Sequence, residues 1–197
     1  MHRAFKALGL LSSLAFPARG DFRVRFDVVT DDGPDEFTAV LHEDWAPIGV
    51  ERFKLLAKIT FFEDNRFFRV VPGSVAGFGL NGDNFVQNVW NKRPIKDDPV
   101  RASNLRGRLT FANLGTPDSR STELFINSGN NSELDSQGFA PIGEIEGEGM
   151  SVVDRLHNCG DDANRRMILS MGNKYLDNRY PLMSQLVDVT LIGKDEL

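Results

Sequence analysis

The sequence predicts one mainly β domain, an antiparallel sheet or barrel with few helices. Three observations predict it. Short apolar–polar alternations recur along the chain, with turn-forming residues between them. Only two or three stretches show the three- and four-residue apolar spacing of a helix. No repeat, linker or composition shift divides the chain. The 197 residues are 41% hydrophobic and 26% charged, proportions that suit a single globular domain with a real core. Fifteen Phe against two Tyr and two Trp point to a core packed with phenylalanine. A net charge of −5 without a long basic block argues against nucleic acid and against an anionic membrane surface as partners.

The elements follow in order. Phe22, Val24, Phe26 and Val28 alternate with Arg23, Arg25 and Asp27, a strand with one buried face. DDGPDE at 31–36 is a turn, and 37–42 is a second strand. Pro47 opens a helix, PIGVERFKLLAKI, at the position where proline is tolerated. Val50, Phe53, Leu56 and Ala57 form its apolar face. Residues 66–71 read as a strand, and the Gly- and Asn-rich stretch 73–91 reads as an irregular loop. Strands are expected over 107–113, 122–127 and 138–145, then a short helix over 150–156. Residues 161–179 can hold a further helix, and LVDVTLI at 186–192 is the closing strand.

The two ends carry address-like patterns. Arg3 and Lys6 precede a ten-residue apolar run, 7–16, and Ser13-Leu14-Ala15 supplies small residues for cleavage. This is the pattern of a secretory signal peptide over 1–15, with a short amphipathic helix as the alternative. Lys194-Asp195-Glu196-Leu197 is a KDEL sequence, an address read by a retrieval receptor. The mature domain is then 16–193, and the expected location is the lumen of the endoplasmic reticulum, with the KDEL receptor as a partner. No other segment is long and apolar enough to span a bilayer, so no membrane insertion is expected. The single cysteine, Cys159, allows no intramolecular disulfide and reads as a buried small residue rather than a redox thiol. Asn130-Asn131-Ser132 is an N-glycosylation sequon, used or unused.

The chemistry expected here is non-covalent. The three histidines, His2, His42 and His157, show no zinc spacing with Cys or carboxylates, and no nucleophile–base motif or cofactor box is visible. No metal and no cofactor are expected.

Three ordered blocks then carry a resemblance: FFRVVPGSVAGFGLNGD, GRLTFANLGTPDSRSTELFIN and NSELDSQGFAPIGEIEGEGMSVVDRL. They resemble the signature blocks of the cyclophilins, which are peptidyl-prolyl cis–trans isomerases, and the resemblance covers nearly all of 22–192. It implies an eight-stranded antiparallel barrel with two or three capping helices. It also implies an isomerase acting on X–Pro bonds of secretory proteins as they fold, with proline-containing polypeptides as substrates and a monomeric state. The alternative is a proline-peptide or client-binding module with weak or no catalysis.

The resemblance also implies a site. Arg69 matches the catalytic arginine, Phe125 the aromatic floor under the proline ring, and Leu134 an apolar wall. Ala112 and Asn113 match the pair that lines the groove and binds peptide backbone, and Phe67 a core phenylalanine. Other positions depart from the family pattern. Phe68 stands where many members have histidine, Ser74 where a second pocket phenylalanine is expected, and Gly77 where a glutamine supports the arginine. Glu123 replaces a second glutamine, Phe139 or Gly138 a histidine at the pocket edge, and Glu133 a tryptophan associated with cyclosporin binding. The expected neighbour of Arg69 is Glu123, which either occupies the guanidinium or holds it in place.

Overall fold

β1 (Phe22–Thr30) and β2 (Gly33–Leu41) pair antiparallel along their whole length in the computed structural model, which describes residues 21–192. Val24, Phe26 and Val28 are buried, as a strand of period two requires. α1 (Pro47–Lys58) follows and buries Val50, Phe53, Leu56 and Ala57. The remaining strands are β3 (Asn65–Arg66), β4 (Arg69–Val71), β5 (Val75–Phe78), β6 (Arg108–Phe111), β7 (Leu124–Asn127), β8 (Pro141–Ile145) and β9 (Gln185–Ile192). They form one sheet in the order β3-β9-β1-β2-β8-β6-β7-β5-β4, with every pairing antiparallel.

The two end strands, β3 and β4, are separated only by Phe67 and Phe68, so the chain itself brings the ends of the curled sheet together. The single strand expected over 66–71 is therefore two short strands. At the break Phe67 is fully buried, packed 5.5 Å from the ring of Phe78.

The stretch 73–91 is not an irregular loop. It holds β5 and α2 (Asn84–Asn91). All four residues of β5 are buried, so no alternation marks it. Half of α2 is Asn or Gln, and its start is set by Asp83, whose carboxylate accepts from the Phe85 and Val86 amides. Among the described residues five α-helices are present where two or three were expected: α3 (Gly149–Val153), α4 (Arg165–Met171) and α5 (Asn173–Arg179) complete the set. Gly172 separates α4 from α5, and a Cβ there would lie 1.9 Å from the Gly82 carbonyl oxygen.

The main core runs through Phe26, Phe37, Phe53, Phe62, Phe67 and Phe78, with the Phe26 and Phe37 rings stacked at 4.7 Å. A second cluster, Leu80, Ile168, Leu176 and Met183, lies under α4 and α5. No helix among the described residues is long and apolar enough to cross a membrane. The expected signal peptide (1–15) and KDEL sequence (194–197) lie outside the described residues.

Candidate functional site

The site is built on one row of the sheet. Arg69 of β4 lies opposite Gly77 of β5, Gly77 opposite Phe125 of β7, and Phe125 opposite Thr110 of β6. Directly opposed residues share a face, so the Arg69 and Phe125 side chains stand on the same side with only a glycine between them. Val75, two residues before Gly77, shares that face and is buried.

Phe125 is buried, and its ring meets Phe139 edge-on at 5.9 Å. Phe139 follows a 3-10 helix, Ser132–Gln137, that carries Leu134, and the Phe139 amide donates to the Leu134 carbonyl. This wall is anchored from behind. Buried Asn104 donates from Nδ2 to the Phe139 carbonyl at 2.8 Å and to Asp135 Oδ1 at 2.8 Å. Ala112 continues from β6, its amide donating to the Glu123 carbonyl at 2.9 Å. Asn113 turns its Oδ1 onto the Gly115 amide at 3.0 Å, and with Phe139 it lines a cavity of about 610 Å³ extending toward Asp97, Thr116 and Pro117. The structure thus brings Arg69, Gly77, Phe125 and Phe139 together, with Leu134, Ala112 and Asn113 on the flanks.

Ser74 differs. It sits in the turn between β4 and β5, and its carbonyl accepts from the Ser128 amide at 2.8 Å and Asn131 Nδ2 at 2.9 Å. Its backbone fastens the hairpin to the loop after β7. Asn130 of the sequon is exposed in that loop, and its Oδ1 accepts from the Ser132 amide at 3.1 Å.

The charges are not arranged as expected. Glu123 is not paired with Arg69. Its Oε1 accepts from Arg165 Nε at 2.7 Å and from Arg165 Nη2 as well. Arg69 pairs instead through Nε with Asp161 Oδ1 at 3.0 Å. Both partners lie far along the chain, on the segment between α3 and β9, and neither could be read from spacing; the only local trace is the charged run DDANRR at 161–166. Val75 is the other lining residue the sequence reading missed, and strand alternation from Gly77 would have found it.

Two groups near the site titrate away from their ordinary values. Burial pushes the Cys159 thiol up, and its Sγ donates to the Phe67 carbonyl at 3.4 Å. Cys159 is half-buried and packs against both apolar clusters. Burial also pushes the Asp135 carboxyl up, but hydrogen bonds from Ser103 and Asn104 outweigh it and hold the group below the aspartate range. A depressed folded-state value stabilises above the unfolded value and is lost as pH falls through the folded one. The unfolding midpoint of the wild type is therefore expected to exceed that of Asp135→Asn at neutral pH, with the gap narrowing below about pH 4. Thermal unfolding across a pH series measures this, and a gap that stays constant into acid would contradict it.

Among the described residues, one group could place three metal-ligand atoms within 4.8 Å of one another: Asp21, His42 and Asp44. Asp21 and His42 are 21 residues apart, so their meeting is not visible as a local motif, and both carboxylates are exposed. None of the three lines the groove.

A family model, cyclophilin type peptidyl-prolyl cis-trans isomerase/CLD, matches residues 25–172. A peptidyl-prolyl cis-trans isomerase of Acinetobacter baylyi is 32% identical over 126 residues, 60% of this chain and 64% of that protein. Peptidyl-prolyl cis-trans isomerase A of Dickeya dadantii is 32% identical over 122 residues, 59% of this chain and 63% of that protein. The matches span just under two thirds of the length of both relatives. A crystal structure of a Cryptosporidium parvum cyclophilin type peptidyl-prolyl cis-trans isomerase covers 88% of this chain and 99% of its own at a TM-score of 0.59. At 16% identity that likeness speaks for the fold alone.

Proposed function

We propose that this chain, which belongs to the cyclophilin-type peptidyl-prolyl cis-trans isomerase family, catalyses rotation about X–Pro bonds, with Arg69 as the catalytic residue. The observation that carries this is the shared face of Arg69 and Phe125 across Gly77. The barrier to rotation, about 18–20 kcal/mol, is amide resonance, so no nucleophile is needed. The apolar floor of Phe125 and Phe139, flanked by Val75, suits a proline ring, which has no N–H to satisfy. Engaging Nε leaves the two Nη groups of Arg69 for substrate, and they have no hydrogen-bond partner among the described residues. Donors that fit the twisted amide better than the planar one lower the barrier by differential binding.

A second reading has its own observation. Gly77 leaves bare backbone beside Arg69, and Ser74 adds no apolar area, so the site can bind a proline peptide while turning it over slowly. Exchange spectroscopy on a short X–Pro peptide separates the two. Cross-peaks between cis and trans forms that grow with protein support the isomerase. Equal exchange with and without protein ends it, and peptide shifts without added exchange would favour the binding module.

The setting proposed is the lumen of the endoplasmic reticulum, with secretory chains as clients and the KDEL receptor as retriever. It rests on the sequence at the two ends, and the exposed Asn130 is available to a glycan there. The full chain expressed in a eukaryotic cell is expected to stay inside, and the chain without 194–197 to reach the medium. Cytosolic recovery of the full chain would overturn this.

A further inference from the structure

Resting on the isomerase reading, we propose that Arg165 is a positioning residue: it holds Glu123 off Arg69, so that the guanidinium stays open to a proline amide. Glu123 stands two residues before Phe125 on the chain entering β7, its side chain only 12% exposed. A carboxylate that buried demands a partner. Arg69 lies two strands away, about 10 Å at the usual strand spacing. The intervening position opposite both Arg69 and Phe125 is Gly77, which puts no side chain in the way. An arginine and a glutamate can meet across such a gap.

They do not, because one segment supplies each with another partner. Arg165 donates twice to Glu123 Oε1, and Asp161 takes Arg69 Nε. The segment is tied down independently of these pairs. The Gly160 and Val70 amides and carbonyls bond both ways, at 3.0 and 3.1 Å. Asn164 Oδ1 caps α4, and Asn84 and Asn88 of α2 donate to the Ser170 and Leu169 carbonyls. The two pairs are unequal. Asp161 is 66% exposed and Glu123 12%, so water and salt weaken the Arg69–Asp161 pair far more. Without Arg165, the buried Glu123 carboxylate draws Arg69 away from Asp161 and consumes the donors a substrate needs.

The test is a double-mutant cycle on kcat/KM for X–Pro exchange. Arg165→Ala is expected to lower kcat/KM about tenfold, and Arg165→Lys, which keeps the charge, to retain most of it. In a Glu123→Gln background, removing Arg165 is expected to change the rate less than about twofold. The same rate loss in both backgrounds, or no loss with Arg165→Ala, would overturn the proposal. The Arg69 Nε–Hε resonance gives a reading independent of turnover: it should move in Arg165→Ala and return in the double variant. If the wild type shows no exchange at all, the isomerase reading falls, and this resonance alone decides whether Arg165 keeps Glu123 away. A resonance that does not respond would end the idea.

Discussion

Replacing Arg69 with alanine is expected to lower kcat/KM for X–Pro isomerisation by about 100-fold or more, the scale of losing a donor aimed at a transition state. That is roughly 2.7 kcal/mol of transition-state stabilisation. The affinity for a ground-state proline peptide should fall much less, because the floor of Phe125 and Phe139 remains. Loss confined to kcat marks an interaction made in the transition state, whereas an equal rise in KM would mark uniform binding. Stability should barely change. The Arg69–Asp161 pair is exposed on both sides and contributes no more than about 1 kcal/mol. Arg69→Lys is expected to fall between, since lysine keeps the charge and loses the planar fork. Exchange spectroscopy and calorimetry on one peptide give both numbers. Undiminished turnover in Arg69→Ala would remove this residue from the chemistry.

What could be read from the sequence follows from where the physics is local. β1 was legible because one face of FRVRFDVV is buried and the other wet, so the pattern is written residue by residue. β5 was not, because VAGF is buried throughout and shows no alternation. α2 escaped because its Asn-rich composition suggests a loop, and only the Asp83 cap gives it away. The site divides in the same manner. Arg69, Phe125 and Phe139 lie within quoted family blocks, and the sheet register brings them together. The partners of the two groove charges come from residues 42 and 92 positions away, where no spacing rule reaches. The family resemblance placed Glu123 beside Arg69, and α4, which supplies Arg165 instead, is what that resemblance did not contain.

The same limit applies to the residue whose loss should cost the most stability. Arg120 is 1% exposed, yet it sits in a turn-rich connection where an arginine would ordinarily be solvated. Its Nε donates to Asp97 Oδ1 at 3.0 Å and its Nη2 to Asp98 Oδ2 at 3.1 Å. Asp98, equally buried, in turn accepts from the Ile48 and Gly49 amides at 3.0 and 2.8 Å. Those amides open α1, whose own N-cap, Ala46, offers no side-chain acceptor, so Asp98 caps the helix from a distance. Arg120 therefore balances a buried charge that a helix start depends on, just before the chain enters β7. Arg120→Met is expected to cost about 3–5 kcal/mol, because it leaves Asp98 buried without its cation. In a chain of this size that lowers the thermal midpoint by roughly 10 °C. Arg120→Met combined with Asp98→Asn should cost less than Arg120→Met alone, since the orphaned charge goes while one amide acceptor remains. Urea unfolding of the three proteins measures the cycle. Strictly additive losses would show that the pair is incidental. At a temperature where Arg120→Met is still folded, its turnover should stay near wild type, because Arg120 supports the scaffold and meets the groove only through Asp97, at the end of the cavity away from Arg69 and Phe125.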